Sequence, residues 1–163
     1  MKFNLEMKKI LRASKIEIPA KCLNRIIENG FTELVSQDAT TYVLGFKNVS
    51  VGFSKGSNFF DEIDFEVWHN SIRIDDFCNE ENNNENVLFT FVIQMLKIWN
   101  NKFNDKILVS VFHINKIEKS YIARFYLKRG DVSWYSDDLE GYSSAFGVVN
   151  SNELDKFIEF IGK

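Results

Sequence analysis

Segment 86–103 contains the longest nearly continuous apolar stretch of the chain, and it follows the most polar one. The polar positions within it are Thr90, Gln94, Lys97 and Asn101. Their spacing of four, three and four residues places them on one narrow stripe of an α-helix, and apolar side chains cover the rest of its surface. A helix that is polar on so narrow a stripe is predicted to lie in the core, with a β-sheet packed around it.

The same helical spacing predicts two helices in the N-terminal part of the chain and one in the C-terminal part. The first covers 3–13, where apolar residues recur every three or four positions. The second is predicted to begin at Pro19, which suits the first position of a helix, and to end at Gly30. The third follows Asn152, whose side chain is of the type that caps helix N-termini.

Alternation of apolar and polar residues predicts the strands. They are 42–46, 49–53, 63–67, 72–74, 107–114 and 119–128, with 132–136 as a further candidate and 142–149 irregular or weakly extended. A tight turn at Lys47 and Asn48 is predicted to join the first two, and strand 63–67 is predicted to place its acidic residues in solvent. Strand 107–114 is apolar on both faces, which predicts a central position in the sheet. Residues 75–86 are too polar to pack and are expected to form an exposed loop.

This order of elements indicates an α+β fold, with a mostly antiparallel sheet of about six strands packed on a central core helix, two N-terminal helices and one C-terminal helix. The length of 163 residues suits one domain, and the sequence contains a single proline and no linker-like stretch. We therefore expect a single α+β domain over residues 1–163.

The cysteines and the apolar runs bear on the compartment. Cys22 and Cys78 are 56 positions apart, and two free thiols in a reducing cytosol are expected, although the sequence also permits a disulfide. The N-terminal segment lacks the apolar region and cleavage site typical of a signal peptide, and no apolar run is long enough to cross a bilayer. We therefore expect a cytoplasmic protein without a membrane partner.

No motif in the sequence has the spacing of a known catalytic or metal site. Residues 52–56 match Gly-x-Ser-x-Gly, but the nucleophile elbow needs a helix after the serine, and Lys-Gly-Ser-Asn follows here. His69 and His113 lack metal-binding spacing, and Asp64 and Glu66 fit a solvated strand face. We expect no catalytic residue, no metal and no cofactor. An enzyme of unrecognised type, with His113 as its best candidate residue, is an alternative.

Charge is unevenly distributed along the chain, whose net charge is −3 and whose pI is about 5.5. Residues 57–96 carry nine acidic side chains and one basic one, whereas 97–130 carries eight basic and two acidic ones. The basic residues are scattered and the pI is acidic, which argues against a nucleic-acid partner. Aromatic residues within an acidic surface are typical of protein-binding sites. The predicted partner-binding residues are Glu66, Trp68, Asp75, Asp76, Trp134, Asp137 and Asp138.

Four segments give the chain an acidic layout that is rich in aromatic residues: DEIDFEVW, DDFCNEENNNE, VSWYSDDLEGY and NELDKFIEFIGK. In this layout and in size the chain resembles the immunity proteins of bacterial polymorphic toxin systems, including contact-dependent growth inhibition. The resemblance implies that the protein, as a monomer or weak dimer, binds one cognate protein toxin, often a basic nuclease, and blocks its active site or substrate entry. An acidic surface would mimic phosphate charge and accelerate association with such a toxin.

The order of elements and the acidity also look similar to those of type III secretion chaperones. Those proteins dimerise and bind an unfolded effector segment along apolar grooves. Oligomeric state separates the two possibilities. A stable dimer with exposed apolar grooves favours the chaperone, and a monomer with a polar acidic face favours the immunity protein.

Overall fold

Five α-helices and seven β-strands make up the regular structure of the residues that the computed structural model describes, 1–16, 21–79 and 84–161. The helices are α1 (Leu5–Ala13), α2 (Asn24–Asn29), α3 (Glu62–His69), α4 (Glu85–Lys102) and α5 (Leu154–Phe160). The strands are β1 (Lys2–Phe3), β2 (Phe31–Val35), β3 (Thr40–Leu44), β4 (Ile72–Arg73), β5 (Leu108–Asn115), β6 (Ser120–Leu127) and β7 (Ala145–Asn150). The predicted α+β class is confirmed.

The main sheet has five antiparallel strands in the order β1-β7-β5-β6-β4, and β2 pairs with β3 in a separate sheet. β5 lies at the centre of the main sheet, as its two apolar faces predicted. On one face, Phe112 and Phe125 join the cluster formed with α1, α4 and α5. On the other face, Val111 and Tyr126 pack against α3. The sheet is therefore covered on both sides, and α3 is the helix on the less covered side.

The buried helix predicted over 86–103 is α4. Trp99 is fully buried in it, and its ring packs edge-on against Phe31 and Tyr42, with centroids 5.3 and 5.0 Å away. The polar stripe is shorter than predicted because Thr90 is also buried, whereas the three later positions of the stripe are exposed or half-buried. α4 is thus a core helix, and its surroundings include both sheets and the other helices.

The strand predicted over 63–67 is a helix, α3, and this prediction is wrong. Asp61 caps the helix by accepting a hydrogen bond from the backbone N–H three residues later, at 2.8 Å. Ile63 and Val67 pack on the main sheet, and Phe65 packs on the other side, against the two-stranded sheet and its loop. α3 lies between two hydrophobic clusters, so residues 63, 65 and 67 are all buried although they point to different sides of the helix. The resulting alternation of apolar and polar residues resembles that of a strand.

Two buried polar side chains, Glu66 and Asn70, join the two sheets. Glu66 is 0% exposed and accepts hydrogen bonds from the N–H groups of Tyr42 and Leu127, at 2.8 and 2.6 Å. Asn70 donates to the carbonyls of Tyr42 and Phe125, at 2.7 and 3.0 Å. β3 and β6 do not pair with each other, so these side chains take the place of a ladder between them. The prediction that Glu66 lies on an exposed strand face is therefore wrong.

The first predicted hairpin pairs different segments from those observed. β2 pairs with β3, whereas 42–46 and 49–53 were predicted to pair. After β3 the chain leaves the sheet through a 3-10 turn and Asn48, whose φ of 53° is left-handed, and 49–53 forms no strand. β2 was missed because Phe31 is its only buried residue, which leaves no alternation to detect.

The segment 75–86 is less exposed in its described part than its composition predicted. A 3-10 turn (Ile74–Asp76) begins it, and Cys78 is buried and disulfide-bonded to Cys22, with Cα atoms 5.4 Å apart. The expectation of two free thiols is therefore wrong. Cys78 belongs to the hydrophobic cluster around α4, and Cys22 is partly buried and packs against the same cluster.

The remaining predicted strands divide into confirmed and corrected ones. The strands over 107–114 and 119–128 are β5 and β6, and the strand over 72–74 is shortened to β4. Residues 132–136 form no strand and contain a bend at 134 and 135, whereas the segment 142–149 overlaps the buried strand β7 (Ala145–Asn150), which pairs with both β5 and β1. β7 is thus a full member of the main sheet.

The predicted helices near the two chain ends are largely confirmed. The segment 3–13 contains α1, and Gly30 ends α2 with a left-handed φ of 54°, whereas the predicted start at Pro19 lies outside the described residues. The capping box before α5 begins at Asn150, two residues earlier than the predicted cap at Asn152. No helix in the described ranges is long and apolar enough to cross a bilayer.

Candidate functional site

A cleft of about 530 Å³ opens between α3, β4, β6 and the segment that follows β6. The charged and aromatic side chains that line it are Lys47, Asp64, Trp68, Arg73, Asp76, Arg124 and Trp134. We call it the α3–β6 cleft. Its volume is that of a typical binding site, and its lining combines aromatic rings with charges of both signs.

Two tryptophans reach this cleft from different elements. Trp68 lies on the outer side of α3 and is 71% exposed, and Trp134, in the segment between β6 and β7, is 40% exposed. The third tryptophan, Trp99, is buried in the core, where its indole N–H donates to the carbonyl of Lys106 at 2.9 Å. Two of the three tryptophans of the protein are therefore accessible to solvent at one cleft.

Two cations of the cleft have partners on its rim. Arg73 forms an ion pair with Asp75 at 2.9 Å. Lys47 donates to the carbonyl of Ser71 at 3.3 Å, and burial lowers the pKa of its ammonium group while the Asp76 carboxylate opposes that shift. Each of these charges is thus held close to a polar or acidic group.

Arg124 and His113 lie side by side on neighbouring strands of the main sheet. Nη1 of Arg124 donates to Nδ1 of His113 at 3.2 Å, and the guanidinium lies 5.3 Å from the ring centroid of Trp134. Burial, together with the cations Arg124 and Arg73, lowers the pKa of His113 to about 4. His113 is therefore neutral at pH 7 and accepts the hydrogen bond. Arg124 makes no ion pair with any described carboxylate.

A second depression of about 370 Å³ adjoins the cleft and shares Arg124 and Trp134 with it. The other residues that line it are His113, Tyr142, Ser144 and Phe146. Within the described residues His113 makes no hydrogen bond to a hydroxyl group, and a group with a pKa of about 4 is a weak base at neutral pH. Groups of three or more potential metal ligands are not found in the part of the chain that the structure describes.

The cleft gathers four of the seven predicted contact residues. Trp68, Asp76 and Trp134 line it, and Asp75 stands at its edge through the ion pair with Arg73. They come from two segments that are far apart in sequence, and the helical conformation of α3 directs Trp68 towards the other three.

The other three predicted residues lie elsewhere. Glu66 is buried and cannot touch a partner. Asp137 pairs with Lys2 at 2.9 Å, and Asp138 accepts a hydrogen bond from the N–H of Glu140 at 3.2 Å, which caps a 3-10 turn. The two aspartates belong to a neighbouring surface that the N-terminal strand helps to form.

Sequence reasoning missed the three cations of the cleft, Lys47, Arg73 and Arg124. Arg124 lies in the middle of the strand predicted over 119–128. A charged residue in the middle of a largely apolar strand was the available signal, because such a residue needs either a partner or access to solvent.

Comparisons with known proteins give the family of the chain. A family model described as the Uncharacterized protein PM0498 family matches residues 2–160, and the chain belongs to this family. No curated protein and no solved structure matches the chain.

Proposed function

We propose that the protein is a binding module that recognises and neutralises a cognate protein toxin, and that it contacts the toxin at the α3–β6 cleft. The observation that carries the proposal is the exposure of Trp68 and Trp134 at one cleft. Tryptophan is among the residues most enriched in binding hot spots, where truncation of one side chain costs about 2 kcal/mol or more. Two such residues beside charged groups match the centre of a protein interface.

A third exposed aromatic residue favours a protein partner over a small ligand. Phe60 is 98% exposed, and its N–H donates to the carboxylate of Asp64 at 3.3 Å. Asp64 and Trp68 are four residues apart on α3 and so share one side of the helix. The aromatic surface therefore continues beyond the cleft, over an area that a protein partner can cover.

The cleft is not purely acidic, which changes the expectation that the protein binds a basic nuclease by mimicking phosphate charge. Lys47, Arg73 and Arg124 line it together with Asp64 and Asp76, so that charges of both signs are present. We therefore propose that the toxin presents a surface of mixed charge to this cleft. A purely basic nuclease surface would bring like charges together at Arg124.

A toxin that acts inside the cell requires the protein to be present in the cytoplasm, and we propose that compartment. Disulfides are rare there because thiols are kept reduced. The Cys22–Cys78 disulfide is therefore unusual for this compartment, and neither of its cysteines is among the residues that line the cleft.

Coexpression with the candidate toxin tests the proposal. The C-terminal domain encoded by the gene immediately upstream is expressed with and without the protein. We expect the domain alone to arrest growth, and the protein to restore growth and to copurify with the domain. The double variant Trp68→Ala/Trp134→Ala is expected to lose rescue and to weaken binding by roughly 10²- to 10⁴-fold, measured by calorimetry.

The matched control is Ile117→Ala. Ile117 is 96% exposed in the turn between β5 and β6, outside the cleft, so this variant should rescue growth as the wild type does. Circular dichroism verifies that each variant is folded. A wild-type protein that neither rescues growth nor binds the domain would show the proposal to be wrong. A stable dimer that binds an unfolded segment would favour a secretion chaperone instead.

A further inference from the structure

Arg124 differs from the other cations of the α3–β6 cleft in its surroundings. Arg73 pairs with Asp75, and Lys47 lies within the influence of Asp76. Burial lowers the pKa of Arg124, and no carboxylate of the described residues acts on that pKa in the opposite direction. A half-buried guanidinium in this position is a positive charge without a counter-ion.

The hydrogen-bond donors of Arg124 are largely free. A guanidinium has five N–H donors, and the one hydrogen bond that Arg124 forms with the described residues goes to His113. None of its nitrogen atoms is among the buried atoms that lack a partner, so the remaining donors are open to solvent. Since Arg124 lines the cleft, a molecule that enters the cleft can reach these donors.

Two neutral neighbours hold the guanidinium in position. His113 accepts from Nη1 without adding negative charge, and the ring of Trp134 lies 5.3 Å away on its face. A cation that is oriented in advance loses little side-chain entropy when it binds an anion. Partial burial also strengthens a charge-assisted hydrogen bond relative to one in water.

We infer that Arg124 is an oxyanion-binding residue, and that in the toxin complex it receives the carboxylate of an acidic side chain of the toxin. Only the second statement rests on the proposed function. A carboxylate fits the planar fork of a guanidinium through two parallel hydrogen bonds. Asp64 and Asp76 line the same cleft, and they repel a phosphate dianion more strongly than a singly charged carboxylate.

The first arm of the test uses the isolated protein. Sodium acetate and inorganic phosphate are titrated at constant ionic strength, with chloride as the reference, and the Nε–H signal of Arg124 and the indole N–H signal of Trp134 are followed by NMR. The buried Trp99 is the internal reference. We expect saturable shifts of both signals with acetate in the wild type. The Trp134 shift should be lost in Arg124→Gln and retained in Arg12→Gln, a substitution of an exposed residue of α1 on the opposite side of the sheet.

The outcomes of this arm are distinct. Shifts that do not saturate, or that persist in Arg124→Gln, overturn the oxyanion site. Tighter binding of phosphate than of acetate identifies a free phosphate ligand and overturns the assignment of a carboxylate.

The second arm measures affinity for the toxin domain. We expect Arg124→Gln to weaken binding about tenfold to a hundredfold, because a hydrogen-bonded ion pair is lost. Arg124→Lys keeps the charge but lacks the fork, and should recover part of the affinity. Equal affinity of Arg124→Gln and wild type overturns the assignment of a toxin carboxylate to Arg124 and leaves the proposed function intact. A wild type that does not bind the toxin removes the proposed function, and the first arm still decides on the oxyanion site.

Discussion

At the scale of single residues, Glu66 has the clearest structural role. Its buried carboxylate accepts from the N–H groups of Tyr42 and Leu127 and pairs with Arg129 at 2.8 Å. Burial raises the pKa of Glu66, and Arg129 and the two N–H groups oppose that shift. Glu66→Gln removes the buried carboxylate that pairs with the Arg129 guanidinium. We expect it to lower the free energy of unfolding by about 3–5 kcal/mol, measured by urea denaturation.

The matched control for this change is Asp137→Asn. Asp137 also pairs with a cation, Lys2, but the pair is exposed, so no measurable loss of stability is expected. If Glu66→Gln unfolds at the same urea concentration as the wild type, the ion pair does not hold the two sheets together.

His113 gives the protein a dependence on pH. Its pKa is lowered from 6.5 to about 4 by burial and by the cations Arg124 and Arg73. Above pH 6.5 the histidine is neutral in both states and has no effect on stability. As pH falls from 6.5 to about 4, the unfolded chain gains a proton that the folded state does not, so stability declines. His113→Gln should remove this part of the decline in melting temperature, whereas His69→Gln should retain it. Parallel curves for His113→Gln and wild type would contradict this account.

At the scale of elements, the sequence correctly predicts the helices and strands that are surrounded by the same kind of environment on all sides. α4 and β5 are apolar because nearly everything around them is core, and both were predicted correctly. The segment of α3 was wrongly predicted as a strand. Ile63 and Val67 contact one sheet and Phe65 contacts the other, which produces an alternating apolar pattern in a helix. Asp61, a residue that commonly caps helices, was the sequence signal that pointed to the correct structure.

The candidate site was predictable in part for the same reason. Trp68 and Trp134 were recognised as exposed aromatic residues, and the structure places both at one cleft. Glu66 belongs to the same acidic segment as Trp68 but is buried, where it pairs with Arg129. This burial was not predictable because Arg129 lies 63 positions later in the chain. Arg124 enters the cleft from a third segment. Long-range pairings of this kind leave no periodic trace in the sequence.

The cap of α3 can be tested by substitution. Asp61→Ala removes the acceptor of the hydrogen bond from the N–H of Asp64, which is 2.8 Å long. We expect the free energy of unfolding to fall by about 1 kcal/mol, measured by thermal unfolding, because that N–H loses its partner. Asp61→Asn keeps an acceptor and should retain most of the stability. An equal loss in both variants would mean that the carboxylate acts through its charge at the helix N-terminus.

At the scale of the whole molecule, the hydrophobic cluster around α4 and the α3–β6 cleft lie on different sides of the main sheet. The disulfide between Cys22 and Cys78 lies in the cluster of α4, whereas the cleft opens on the side of α3. Stability and binding can therefore respond separately to the redox state.

The disulfide should stabilise the fold without affecting the cleft. Its cysteines are 56 positions apart, and a cross-link over such a loop restricts the unfolded chain by an amount that corresponds to about 2–4 kcal/mol. We expect a reductant to lower the urea midpoint of the oxidised wild type and to leave the Cys22→Ser/Cys78→Ser variant unchanged. Anion titration of the cleft should give the same affinity in both redox states, because neither cysteine lines it. A midpoint insensitive to reductant would show that the cross-link does not stabilise the fold, and an altered affinity would show that the core and the cleft are coupled.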